Sequence, residues 1–356
     1  MDFRFTDDQL LLQTTVRDFL AKEHAPETLR KLWETESGRS RALWEQLAEI
    51  GVPGLLVPEE HGGMGLGEVE GVLIHEEAGR AALAEPLIPT MAVGAPLLRE
   101  TGGELAATWL PRVAAGEALL AVSHPTTSLV EDAHVADLLL LARGDDALFA
   151  VPREAARTTP QPATDPSRKL ATVAFEERRA QLVARGERAK QLLAAALDRG
   201  ALACAAQALG ACDRMLELAV AYTCERRQFG KPIGSFQAVK HMLASAKVKL
   251  EYARPVVMRA AYSVAHGSPQ RAAHVSMAKL VATEAARFAA RQALQCHGAI
   301  GYTWEQDLHI WMRRAWSFDQ AWGRAPFHLA RVRTAVLDGT LPIGPGRTFG
   351  DVHTSL

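Results

Sequence analysis

The chain has 356 residues, 48% of them hydrophobic and 23% charged, which fits a globular protein long enough for two or three domains. A formal net charge of −1 excludes a global basic field for nucleic acid. No run of about 18 uncharged apolar residues is present, so no membrane span is expected. The start, Met1-Asp2-Phe3-Arg4-Phe5, lacks the basic-then-apolar pattern of a signal peptide, which points to the cytoplasm.

In chain order, Thr6-Asp7-Asp8-Gln9 reads as a capping box. It opens a helix that carries Leu10, Leu11, Val16, Phe19 and Leu20 at helical spacing. A second helix is expected from Ser40 to about Ile50, stopped by Gly51. The segment Pro58-Glu59-Glu60-His61-Gly62-Gly63-Met64-Gly65-Leu66-Gly67 is a glycine-rich loop without the G-K-[ST] ending of a phosphate loop. Further helices are expected over 68–81, 90–100 and 104–115. From Ala118 short apolar runs lie between turn residues: 119–122, 138–141, 147–151 and 171–175. They read as strands of a small β domain, with Asp145 and Asp146 at a turn and an end near Arg185.

Beyond that the pattern is helical, over 187–225, 235–266, 268–297, 305–314 and 317–338, which argues a helix bundle. Gly267-Ser268-Pro269 reads as a stop, a cap and an N1 proline. The expected layout is a helical domain over 1–117, a β domain over 118–185, a helix bundle over 186–340 and a Gly/Pro-rich tail over 341–356. The cysteines, Cys204, Cys212, Cys224 and Cys296, form no C-x-x-C pair and read as small buried hydrophobes rather than metal ligands.

The stretch Arg226-Arg227-Gln228-Phe229-Gly230-Lys231-Pro232-Ile233-Gly234-Ser235-Phe236-Gln237 breaks the longest helical pattern and sets arginines, aromatics and amides on the break. Arginines so placed can hold a phosphate by forked, charge-assisted hydrogen bonds. On spacing alone, Arg226 and Arg227 read rather as solvated helix-end charges and Phe229 as core. The stretch resembles the R-x-x-F-G-x-x-I-x-x-F-Q signature of flavin-dependent acyl-CoA dehydrogenases. Gln295-Cys296-His297-Gly298-Ala299-Ile300-Gly301-Tyr302 is similar to the Q-x-x-G-G-x-G-Y motif of that family, and the likeness extends over nearly the whole chain.

The resemblance implies a mostly α fold with a small middle β domain, and FAD as cofactor. It also implies that the ADP part of FAD lies between subunits, touched by Arg226, Gln228, Phe229, Phe236, Gln237, Gln295, Gly298 and Ala299. Ala299 stands in place of the second glycine, and alanine disfavours a positive φ.

Two departures concern catalysis. In the family a glutamate takes the α-proton of the acyl-CoA, a general-base task. It stands either in an E-G-T turn or on the long helix. Aligned without gaps, Trp322 occupies the first place, where its bulk is expected to fill the thioester space. Gly200 occupies the second. The other carboxylates weighed as a base are Asp198, Asp319, Glu305 and Asp307. The family's T-E-P-x-A-G-S-D strand, which backs the flavin ring, is replaced by Ala121-Val122-Ser123-His124-Pro125-Thr126-Thr127-Ser128. His124 is a further candidate base, or a turn residue.

The reading that follows is a non-catalytic, FAD-contacting subunit of an α2β2 acyl-CoA dehydrogenase. Its partner chain supplies the glutamate and the acyl-CoA pocket, with a steroid side-chain thioester as one candidate substrate. The alternatives are a self-sufficient FAD-dependent dehydrogenase with a relocated base, and a FAD-free structural or binding module of the same fold.

Overall fold

The structure, a computed structural model, describes residues 4–344; most of the expected tail lies outside the described residues. The fold is mostly helical with a small middle β domain, as the family resemblance implies.

The N-terminal part comprises α1 (Asp7–Glu23), α2 (Pro26–Trp33), α3 (Arg41–Glu49), α4 (Glu68–Arg80), α5 (Ala95–Thr101) and α6 (Gly103–Ala114). Thr6 and Gln9 form the capping box that opens α1. The helix α2 was not anticipated; Pro26 starts it at a position where a missing N–H costs nothing, and Leu29 anchors it in the core. Before α5 the chain runs as a π-helix, Ile88–Gly94, which is buried throughout and fixes Thr90 Oγ1 3.1 Å from the Leu120 N–H. The glycine-rich loop is a short 3-10 turn, Glu59–His61, between helices.

The middle part holds β1 (Leu120–Val122), β2 (Val130–Glu131), β3 (Leu138–Arg143), β4 (Ala147–Pro152), β5 (Ala156–Gln161), β6 (Leu170–Phe175) and β7 (Gln181–Arg185). They form a four-stranded sheet in the order β1-β3-β4-β7 and a three-stranded sheet in the order β2-β6-β5. Side chains alternate along β3 and β4. Leu138, Leu140, Leu148 and Ala150 join the main core shared with the helices, while Leu139, Leu141, Phe149 and Val151 pack toward the second sheet. Both faces being covered, these strands are continuously apolar rather than alternating.

The bundle is α7 (Glu187–Glu225), α8 (Gln237–Ala265), α9 (Arg271–His297), α10 (Leu308–Gln320) and α11 (Ala325–Leu337). Cβ atoms at Gly79 on α4 or Gly210 on α7 would strike the backbone of the other helix, so these glycines let the N-terminal part close onto the bundle. Arg254 on α8 and Arg17 on α1 pair with the adjacent buried carboxylates Glu76 and Glu77 of α4. By length and composition α7 could cross a membrane, yet most of it lies inside the bundle.

Three expectations are corrected. The break expected between Arg314 and Ser317 falls instead at residues 321–324, because α10 runs on to Gln320. Pro269 is not the first residue of α9: Ser268 Oγ accepts from the Gln270 N–H at 3.3 Å, and the helix starts at Arg271. Cys204, Cys212 and Cys296 are buried, but Cys224 is exposed.

Candidate functional site

Residues of interest gather at two places along α7. At its C-terminal end, the helix stops at Glu225 and the chain turns through a hairpin of β8 (Arg227–Gln228) and β9 (Lys231–Pro232). Arg227 pairs with Pro232 and Gln228 with Lys231, leaving Phe229-Gly230 as a two-residue loop. Both loop residues have positive φ, 52° and 79°, the geometry that matches strand twist in tight hairpins. Glycine accepts it; phenylalanine is strained there. Phe229 is also 92% exposed, which rules out the core reading of this ring. Phe236 lies edge-on to it with centroids 6.1 Å apart. The Arg226 backbone closes the loop, its carbonyl accepting from the Ile233 N–H at 2.8 Å, and its exposed guanidinium has no protein partner among the described residues. Gln228 and Gln237 are exposed beside it.

The end of α9 joins this place. Tyr222 of α7 stacks on His297 of α9 with ring centroids 4.4 Å apart. Gln295 is exposed on the last turn of α9, and Gly298 and Ala299 follow in a 3-10 turn, Gly298–Tyr302. Gly298 has φ +67°, and a Cβ there would meet nothing, so the space beyond it is free. Ala299 is not among the residues with positive φ. The replacement of the family's second glycine therefore introduces no backbone strain, because the left-handed residue of this turn is Gly298.

In the N-terminal half of α7 the structure brings Gly200 and Trp322 together. A Cβ on Gly200 would overlap three carbons of the Trp322 indole. The two positions at which the family places its glutamate are thus one place in space, occupied by an indole resting in a glycine notch. Trp322 has φ 53° and Gly323 φ 96°. The turn is held by two buried basic side chains that sequence reading missed. His328 Nε2–H donates to Trp322 O at 3.0 Å. Lys279 Nζ donates to Phe318 O at 2.6 Å and lies 3.5 Å from Gly323 O. Burial lowers the affinity of both for a proton, the His328 imidazole to about 4. A lone lysine within the apolar run Met277-Ala278-Lys279-Leu280-Val281 was the available signal.

Open space remains beside the indole. The ring forms part of the wall of a cavity of about 830 Å³ between the β domain and the bundle, bounded also by His124, Glu131, Asp165, Arg168 and Arg324. None of these groups is free to act as a base. Glu131 is 2.5 Å from Arg168, and Asp165 is 2.5 Å from Arg314. His124 donates from Nε2 to Leu193 O at 3.1 Å and accepts the Thr126 N–H at Nδ1 at 3.2 Å, so its lone pair is taken. Burial pushes its imidazole down to about 4. The other candidates lie outside the cavity. Asp319 faces Arg287 at 3.5 Å, Asp198 is buried against Arg331 at 2.8 Å, Asp307 pairs with Arg30, and Glu305 is exposed.

The two places are far apart. Gly200 and Arg226 are separated by about 39 Å along α7 at 1.5 Å per residue. The residues of the hairpin and the α9 turn suit the ADP end of a dinucleotide: an unpartnered guanidinium, an exposed ring, exposed amides and an unobstructed glycine turn of the kind that admits a phosphate.

Residues 6–117 match the family model described as acyl-CoA dehydrogenase, N-terminal domain, and residues 190–336 the model described as acyl-CoA dehydrogenase, C-terminal domain. Acyl-CoA dehydrogenase IpdE2 of Mycolicibacterium smegmatis (strain ATCC 700084 / mc(2)155) is 34% identical over 333 residues, covering 93% of this chain and 99% of that protein. Among solved structures, the Tcur3481-Tcur3483 steroid ACAD variant superposes with a TM-score of 0.84 and 26% identity, covering 94% of this chain and 99% of that chain. The ChsE4-ChsE5 complex from Mycobacterium tuberculosis gives a TM-score of 0.83 and 25% identity, covering 95% and 99%.

Proposed function

The chain belongs to the acyl-CoA dehydrogenase family, and from that premise we propose that it is the non-catalytic subunit of a cytoplasmic, heteromeric member of it. Arg226, Gln228, Phe229, Phe236, Gln237, Gln295, Gly298 and Ala299 hold the ADP end of a FAD seated in a partner chain. The partner contributes the glutamate and the acyl-CoA pocket, and the assembly is an α2β2 heterotetramer.

One observation carries this reading: the dinucleotide grip and the chain's own cavity are separated by about 39 Å along one helix. Residues so placed serve a neighbour, and the cavity offers no carboxylate to a thioester. FAD supplies a hydride acceptor when bound. This chain's part is to neutralise the pyrophosphate with Arg226, to wall the adenosine with Phe229, and to leave room for phosphate oxygens at Gly298. Two structural neighbours named for pairs of proteins, one of them a steroid dehydrogenase, support a heteromeric assembly and a bulky CoA thioester as substrate.

Co-expression with an acyl-CoA dehydrogenase chain encoded nearby, one that does carry the glutamate, tests it. The pair should purify yellow and reduce its flavin with a CoA thioester from a panel of straight-chain, aromatic and steroid side-chain acyl groups. Arg226→Ala in this chain should weaken FAD retention by about 10- to 100-fold, the loss of one charge-assisted contact. Undiminished retention in that variant would contradict the role given to the grip.

A further inference from the structure

We infer that the cavity beside Trp322 is a binding chamber for a flat organic carboxylate that the protein recognises and does not transform. The inference does not depend on which subunit carries the base.

The wall has changed sign relative to the family's E-G-T turn. Continuing the ungapped alignment, Trp322-Gly323-Arg324 replaces a glutamate by an indole and a threonine by a guanidinium. Both side chains line the cavity, as does Trp316, whose ring is 41% exposed. A tryptophan left accessible inside a concave site offers a large apolar face to a ligand. The charges are unbalanced in one direction. Glu131 is neutralised by Arg168 and Asp165 by Arg314, and Arg324 has no ionic or hydrogen-bonding partner for its side chain among the described residues.

The unpartnered Arg324 guanidinium on the cavity wall calls for an acceptor-rich anion. The volume, about 830 Å³, lies within the range of small-molecule sites. A carboxylate on a fused-ring body satisfies each element: oxygens for the Arg324 guanidinium and ring faces for the indoles. Since no lining group can take a proton from carbon, such a ligand is held unchanged.

Isothermal titration calorimetry with 2-naphthoate and its neutral counterpart 2-naphthalenemethanol tests the assignment, on the full chain or on the co-purified complex. The expected result is saturable binding of the carboxylate, at one site per chain, with the alcohol binding at least about tenfold more weakly. Arg324→Gln, a change at an exposed position with its fold checked by circular dichroism, should weaken the carboxylate by about tenfold and leave the alcohol unaffected. Trp316→Ala should weaken both. Absence of saturable binding, equal affinity for acid and alcohol, or an unchanged Arg324→Gln variant would overturn the assignment. So would full displacement of the naphthoate by free FAD, which would make the cavity a flavin seat.

Discussion

Replacing Gly200 by alanine tests the contact that closes the chain's own base position. The added methyl would lie 2.6 Å from Trp322 Cε2 and closer still to Cδ2 and Cε3, against about 3.5–4.0 Å for an ordinary carbon–carbon contact. The indole must therefore withdraw by about 1 Å or more. Its backbone cannot follow freely, because Trp322 O and Gly323 O are held by His328 and Lys279. Overpacking of this size costs about 1–3 kcal/mol. In a Trp322→Ala background the obstacle is gone. The same Gly200→Ala change should then stabilise by about 0.5–1 kcal/mol, since alanine is the better residue inside a helix. The helix gain is common to both backgrounds, so the coupling equals the overpacking cost, roughly 1–3 kcal/mol. Urea unfolding of the four proteins measures it. Effects additive to within about 0.5 kcal/mol would refute the contact.

Phe229→Asn should stabilise the hairpin by about 0.5–1 kcal/mol, because asparagine tolerates a positive φ that strains phenylalanine, yet FAD retention by the complex should fall. Thermal shift and equilibrium dialysis on one preparation would show the two moving in opposite directions; retained FAD would mean the ring touches no cofactor. Acid should destabilise the chain. Burial holds His24, His124 and His328 at about 4 and His75 at about 3, so unfolding takes up protons below the ordinary imidazole value of about 6.5. Stability is present above that value and is lost as pH falls toward 4. Glu85 and Asp132, raised to about 7 by burial, act in the opposite sense over the same window but are fewer. Each net proton contributes a slope of roughly 1.4 kcal/mol per pH unit. A urea midpoint that rises from pH 7 to pH 5 would contradict this.

Much of the architecture could be read from local pattern. The limits of α7 follow from an uninterrupted Ala/Leu-rich run that ends where Gly230 and Pro232 begin. The strands β3 and β4, buried on both faces, announce themselves as apolar runs. The strand β5, Ala156–Gln161, at the edge of the other sheet, does not, since it is largely exposed and carries two threonines and a proline. The sequence reading ends a helix at Arg314, whereas in the structure Arg314 lies within α10, buried and bonded to Asp165 and to the carbonyls of Leu83 and Ala82.

The candidate site divides along the same line. The hairpin and the α9 turn lie in contiguous motifs, so their residues were legible, though the left-handed Phe229 was not. The pairing of Gly200 with Trp322, the lysine and histidine that fix it, and the cavity that survives beside it are long-range facts. No local spacing encodes them.

The most direct test is anaerobic mixing of acyl-CoA with this chain purified free of any partner and supplied with FAD, followed at the flavin absorbance band. With Trp322 on Gly200 and every lining carboxylate paired to an arginine, no thioester of the panel should bleach the flavin, while the complex bleaches it. Bleaching by the isolated chain would show that it removes the α-proton itself.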